Sequence, residues 1–153
     1  MKILAIRLKN LTSIEGMVEV DFTAEPLHSA GIFAISGPTG AGKSTLLDAL
    51  CLALYDKVGD NQINQSDVRN LLRRGTSDGY AEVDFLGIDG RRYRSRWSVR
   101  RTRNKISGSL QPQTLEVKEL DTEKEFQGTK KELLIQLVEL VGLTYEQFTR
   151  TVL

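Results

Sequence analysis

The sequence predicts an α/β fold: a mixed sheet around one central helix, with an antiparallel strand group at its side. Three observations carry this. Residues 2–9 and 17–22 alternate between apolar and polar side chains, as strands with one wet face do. Ile32-Phe33-Ala34-Ile35 is a continuous apolar run, the pattern of a strand buried on both faces. That run leads through a glycine-rich segment into a helical pattern over residues 43–55, with Leu46, Leu47, Leu50, Ala53 and Leu54 on a wide apolar face.

The first strand sets Ile3, Ala5, Arg7 and Lys9 against Leu4, Ile6 and Leu8, and the second points Val18, Val20 and Phe22 inward. Residues 23–31 carry Pro26, His28 and Gly31 and read as a loop. Residues 56–65 are polar, and a short helix from Asp67 to Arg73 follows with Ser66 as its N-cap. Residues 81–87 and 91–101 form a hairpin around Asp89-Gly90. Residues 114–120 are a further strand. Thr129 and Glu132 make a capping box that opens a helix through Val141, stopped by Gly142. Thr144 and Gln147 repeat the device for a last helix.

The hairpin register follows from its faces. A two-residue turn would set Phe85 opposite Arg94, mixing apolar and charged side chains. A three-residue loop, Ile88-Asp89-Gly90 with Gly90 left-handed, sets Phe85 opposite Tyr93, Val83 opposite Ser95 and Ala81 opposite Trp97. It also sets Asp84 opposite Arg94 and Glu82 opposite Arg96, as cross-strand ion pairs.

Composition bounds the rest. The 153 residues hold 40% apolar and 27% charged side chains, which suits one globular domain and excludes disordered and collagen-like classes. The single Cys51, in an apolar helical run, allows no internal disulfide and reads as a core thiol. No signal-peptide pattern opens the chain, and its most apolar run is too short for a bilayer, so a cytoplasmic protein without membrane contact is expected. The net charge of +1 hides an asymmetry: eight of the 21 Lys/Arg fall between Arg91 and Lys105 with no acid among them. Arg100, Arg101, Arg103 and Lys105 have no acidic partner in sequence and read as a flexible basic loop for DNA phosphates, without base readout.

The sharpest motif is Gly37-Pro38-Thr39-Gly40-Ala41-Gly42-Lys43-Ser44, which meets every fixed position of G-x-x-x-x-G-K-[ST] between a strand and a helix. Gly37, Gly40 and Gly42, with Thr39 and Ala41 between them, let successive backbone N–H groups turn inward around phosphates. The helix N-terminus adds its partial positive charge. Lys43 reaches the β and γ oxygens, Ser44 gives Mg²⁺ a hydroxyl, and Thr45 is placed for a further phosphate contact. The alternative of a plain linking turn does not account for four fixed residues in the right context. The acid that completes a triphosphatase is missing: Glu82-Val83-Asp84 and Glu119-Leu120-Asp121 come nearest, and both lie in alternating, half-exposed patterns.

These residues resemble a known family. Met1-Lys2-Ile3-Leu4, Arg7-Leu8-Lys9-Asn10, Asp21-Phe22 and the whole run from Phe33 to Tyr55 closely resemble the opening of the bacterial SbcC family, SMC-like, ABC-type ATPase subunits of a double-strand-end nuclease. Phe148-Thr149-Arg150 resembles the run that leads into the family's Q-loop. The resemblance implies a P-loop NTPase fold and residues 1–153 as an ABC-ATPase-like N-terminal lobe. Its parts are the phosphate loop 37–44, the basic hairpin and loop 81–105 and the helical end 129–153. It implies ATP and Mg²⁺ as cofactors. A distant C-terminal lobe of the same ATPase would bring the signature motif, the Mg²⁺-binding Asp and the catalytic Glu. Two heads would sandwich ATP as a head-to-head homodimer, gate a partner nuclease of SbcD type, and act on double-stranded DNA ends. Without Walker B, signature and Q-loop, the chain alone is expected to be inactive. Where relatives often carry a nucleotide-facing Arg, two positions after Lys9-Asn10, this sequence has Thr12, and Leu72 and Arg73 stand where relatives place residues beside the base. Two rival readings stay open: a nucleotide-holding interaction module without turnover, and a small phosphate-loop kinase.

Overall fold

The computed structural model describes residues 1–29, 34–58 and 67–152. Five strands, β1 (Lys2–Lys9), β2 (Met17–Asp21), β3 (Asp78–Leu86), β4 (Arg92–Arg100) and β5 (Thr114–Glu119), form one sheet in the order β2-β1-β3-β4-β5. Three helices join it: α1 (Lys43–Tyr55), α2 (Lys130–Val141) and α3 (Tyr145–Val152). Among the described residues no helix is long and apolar enough to cross a membrane.

Every described strand pairing is antiparallel, as expected of the strand group at the side; the strand expected to make the sheet mixed is the one at 32–35. Of the expected buried strand at 32–35, residues 32 and 33 lie outside the described residues. Ala34 and Ile35 are exposed and belong to no strand. A strand buried on both faces needs a neighbour on each edge, and no described strand runs beside these two residues. The loop at 59–65 and the Ser66 cap also fall outside the described residues. The short helix is a 3-10 turn, Val68–Leu71, with Asp67 as its N-cap.

The hairpin has the register that its faces demand. Phe85 pairs with Tyr93, Val83 with Ser95 and Ala81 with Trp97, and Gly90 closes the turn at φ 80°. One sheet face therefore presents Ile6, Leu8, Val83, Phe85, Trp97 and Val99, all buried. Helix α1 lies over β1, β3 and β4 on that face. From Ala49 to Tyr55 every residue of α1 is buried, because α2 and α3 cover its other side: Leu133, Leu137, Val141 and Phe148 complete the core. Strand β2 is at the sheet edge, and Val18 stays exposed although its alternation points it inward. Both capping boxes form, with Thr129 N–H donating to Glu132 (2.7 Å) and Thr144 N–H donating to Gln147 (2.9 Å).

The opposite face of the sheet carries charge. Arg94 donates to both oxygens of Asp84 (2.6 and 2.8 Å), and Arg96 donates to Glu82 (3.0 Å). Arg7 from β1 joins them, donating to Asp84 (2.9 Å), Glu82 (3.2 Å) and Glu19 (2.8 Å). Both central carboxylates are buried, with Glu82 5% and Asp84 7% exposed, so this is a half-buried network rather than a set of pairs on a wet face. Burial pushes the Asp84 carboxyl up, but the hydrogen bonds and charges of Arg94 and Arg7 outweigh it and hold the group below its usual range.

A folded pKa below the unfolded one means stabilisation that is complete above about pH 4 and lost as pH falls through the folded value. Asp84→Asn should cost about 2 kcal/mol at pH 7, less than a fully buried pair because the arginines keep contact with water. Urea unfolding of both proteins between pH 7 and pH 2 checks it: the gap should close toward the acid end. A gap that does not change with pH would contradict the network's role.

Candidate phosphate-binding site

The glycine-rich segment sits at the N-terminus of α1. Gly40 and Gly42 are both left-handed, at φ 83° and 92°, which only glycine adopts without strain. Ala41 N–H donates to Pro38 C=O (3.1 Å), closing the turn between them. Gly42 is the N-cap of α1 and has no side chain to cap it, and the first turn holds no acid. The backbone donors of this turn therefore meet no carboxylate of their own and carry the positive end of the helix dipole. The Lys43 ammonium lies back over the loop, donating to Gly37 C=O (2.6 Å) and Pro38 C=O (2.9 Å). Gly37, Thr39, Gly40, Ala41 and Ser44 are exposed.

This donor set fits a polyphosphate: an exposed loop of backbone N–H groups, one ammonium and one hydroxyl. Among the described residues no group of three or more His, Cys, Asp or Glu side chains is placed to hold a metal ion. The Ser44 hydroxyl is the side-chain group of this segment that could hold a Mg²⁺ accompanying a polyphosphate.

A second loop walls the site. Residues 10–16 are tied to the segment after the 3-10 turn: Thr12 N–H donates to Leu71 C=O (2.8 Å) and Arg73 N–H to Asn10 C=O (2.9 Å). The Arg73 guanidinium donates to Thr12 C=O (3.2 Å) and Ser13 C=O (3.0 Å). Ile14 lies against Gly42 so closely that a Cβ there would come within 3.0 Å of its Cδ1. The Thr12 and Thr45 hydroxyls share a hydrogen bond.

Placement bears on three expectations. The Thr45 side chain is buried and its hydroxyl is hydrogen-bonded to that of Thr12. Leu72 is buried against Gly79, where a Cβ would meet its Cδ1 at 2.9 Å. The basic loop is not loose: Thr102 N–H donates to Ser109 C=O (2.9 Å), Gly108 N–H to Lys105 C=O (2.8 Å), and Arg101 turns inward to donate to Thr76 C=O (3.2 Å) and Gly108 C=O (3.0 Å). Arg100, Arg103 and Lys105 remain exposed, without an acidic partner among the described residues.

Neither acidic candidate from the sequence is near the loop's chemistry. Glu82 and Asp84 are locked in the arginine network, and Asp121 is bonded to Arg92. Sequence reasoning missed Asp56. It follows the last residue of α1 and accepts from Trp97 Nε1 (2.7 Å), Gln113 Nε2 (3.1 Å) and Lys130 Nζ (2.7 Å). An acid just past a helix end, before a long polar stretch, looks like loop chemistry, and only the fold brings its three donors together. Cys51 is buried, and burial with the nearby Asp48 charge pushes its thiol up to about 12, which suits an inert core position.

A family model described as an AAA domain matches residues 5–150. The chain belongs to the AAA domain family. Within that family it is similar over its whole length to the N-terminal region of SbcC and Rad50-type ATPases. The SbcC component of the SbcCD nuclease of Pseudomonas aeruginosa is 54% identical over 100% of this chain and 14% of its own length. The SbcC component of Rhodobacter capsulatus is 42% identical with the same coverage. A probable DNA double-strand break repair Rad50 ATPase of Aquifex aeolicus is 29% identical, again over 100% of this chain and 14% of its own. The chain thus spans about one seventh of the length of these relatives, 14% in each case. A solved SMC ATPase, described for ATP-driven dimerization and DNA-stimulated activation, superposes with TM-score 0.64 at 19% identity, over 97% of this AAA domain and 84% of that chain. At that identity the likeness speaks for the fold. The antiparallel sheet and the helix that follows the glycine-rich segment accordingly share the fold of that SMC ATPase.

Proposed function

We propose that this AAA domain is the N-terminal, ATP-binding lobe of a split SMC-like head in a DNA double-strand-break repair ATPase of SbcC type. The carrying observation is a polyphosphate donor set, at the start of α1, with no free acid beside it among the described residues. The lobe's own residues bind and orient. The left-handed glycines aim backbone N–H groups at the phosphates, Lys43 exchanges the Gly37 and Pro38 carbonyls for phosphate oxygens, and Ser44 offers its hydroxyl to the metal. Ser44 would hold a Mg²⁺ that, when bound, would neutralise phosphate charge. We assign the acids that would hold this metal and orient water to a C-terminal lobe; among the described residues the acidic candidates Glu82, Asp84 and Asp121 are paired with arginine. ATP would then clamp two such heads together and gate an SbcD-type nuclease at DNA ends. The names of the relatives support that assembly. Arg100, Arg103 and Lys105 are the cations left for duplex phosphates, whereas Arg101 serves the loop itself.

Mixing the chain with the C-terminal lobe of the same ATPase tests this. Neither lobe alone should hydrolyse ATP, the mixture should, and Lys43→Ala should abolish turnover. Charge reversal at Arg103 and Lys105 should weaken binding of a DNA duplex and flatten its salt dependence by about two counterions. Equal turnover by the chain alone, or phosphoryl transfer to a small acceptor, would favour the kinase reading. ATP binding without turnover in the mixture would favour the interaction module.

A further inference from the structure

We infer that Thr12 is a positioning residue for the phosphate loop and acts through Thr45, not by touching the nucleotide. The inference rests on the proposed ATP binding and adds to it a specific residue pair. Thr12 is held at φ 46°, a left-handed conformation that a β-branched side chain adopts only under constraint. Its backbone is fixed from both sides, by Thr12 N–H on Leu71 C=O and by the Arg73 guanidinium on Thr12 C=O and Ser13 C=O. The product of that constraint is one side-chain contact, the hydrogen bond between the Thr12 and Thr45 hydroxyls.

The Thr45 hydroxyl has one obvious alternative. A threonine in a helix bonds back to the carbonyl three or four residues before it, and such bonds bend the helix. For Thr45 those carbonyls belong to Gly42 and Ala41, inside the phosphate loop. Engaging Thr12 keeps the hydroxyl away from them. The first turn of α1 then keeps its straight course, with Leu46 N–H on Gly42 C=O (3.0 Å), and the neighbouring Ser44 hydroxyl stays exposed. Ile14, two residues beyond Thr12, packs on Gly42 from the same wall. Thr45 is 5% exposed, so a lost partner cannot be replaced by bulk water.

Thr12→Val keeps the branched shape and removes the hydroxyl, Thr12→Ser keeps the hydroxyl, and Thr45→Val removes its partner. Each is compared with wild type by displacement of a fluorescent ATP analogue by ATP and Mg²⁺, and by thermal melting without nucleotide. Thr12→Val should weaken ATP binding about 5- to 10-fold, and Thr12→Ser should stay within about 2-fold of wild type. Thr45→Val should lose about as much as Thr12→Val, and the double variant no more than either alone, because the pair acts as a unit. Losses that multiply in the double variant, or a loss confined to the Thr12 variants, would mean an independent contact of Thr12 and overturn the inference. So would variants that melt earlier yet bind ATP unchanged. Wild type that takes up no ATP would overturn the nucleotide-binding reading and this inference together.

Discussion

Helix α1 is pinned to the rest of the fold at both ends by polar side chains, and the position of the phosphate loop follows from that. At its C-terminus, Asp56 collects donors from β4, from the segment before β5 and from the start of α2. At its N-terminus, the Thr12–Thr45 bond fixes the first turn against the 10–16 loop. Between these anchors Leu52, Ala53 and Leu54 are wholly buried, each leucine adding roughly 2 kcal/mol of apolar burial. Ser95 Oγ donates to Ala53 C=O (2.5 Å) and locks the helix's rotation on the sheet. A loop that must hold several phosphate oxygens at once needs such a frame, because its glycines supply no rigidity of their own.

The charged face of the sheet answers a different need. Arg7, Arg94 and Arg96 neutralise Glu82 and Asp84 where β1, β3 and β4 run side by side. Arg96 also stacks its guanidinium on the Tyr80 ring at 3.8 Å. These arginines are therefore structural, and the cations of the basic stretch without a carboxylate partner among the described residues are Arg100, Arg101, Arg103 and Lys105. The net charge of +1 hides the difference between this stretch and an acidic remainder.

Much of this was legible in the sequence where one rule decided the matter. Alternating faces fixed the hairpin register, with the Asp84–Arg94 and Glu82–Arg96 pairs. Capping chemistry placed α2 and α3, and the spacing from Gly37 to Ser44 located the phosphate loop. What escaped depends on distant segments meeting. Arg7 enters the acid network only because β1 pairs with β3, a partner more than seventy residues away. Asp56 becomes an anchor only when Trp97, Gln113 and Lys130 converge on it. The Thr12–Thr45 contact likewise joins two residues that lie 33 apart in sequence. Val18 obeys its alternation, yet it lies on the edge strand of the sheet and stays exposed.

Hydrogen exchange along residues 37–56, with and without ATP and Mg²⁺, tests the central claim most directly. The anchored helix should exchange slowly through its last turn even without nucleotide, and ATP should slow the amides of residues 40–45 while changing little elsewhere. Bound ATP that leaves those amides unprotected, or an α1 that frays from either end in its absence, would contradict a phosphate site framed by a doubly pinned helix.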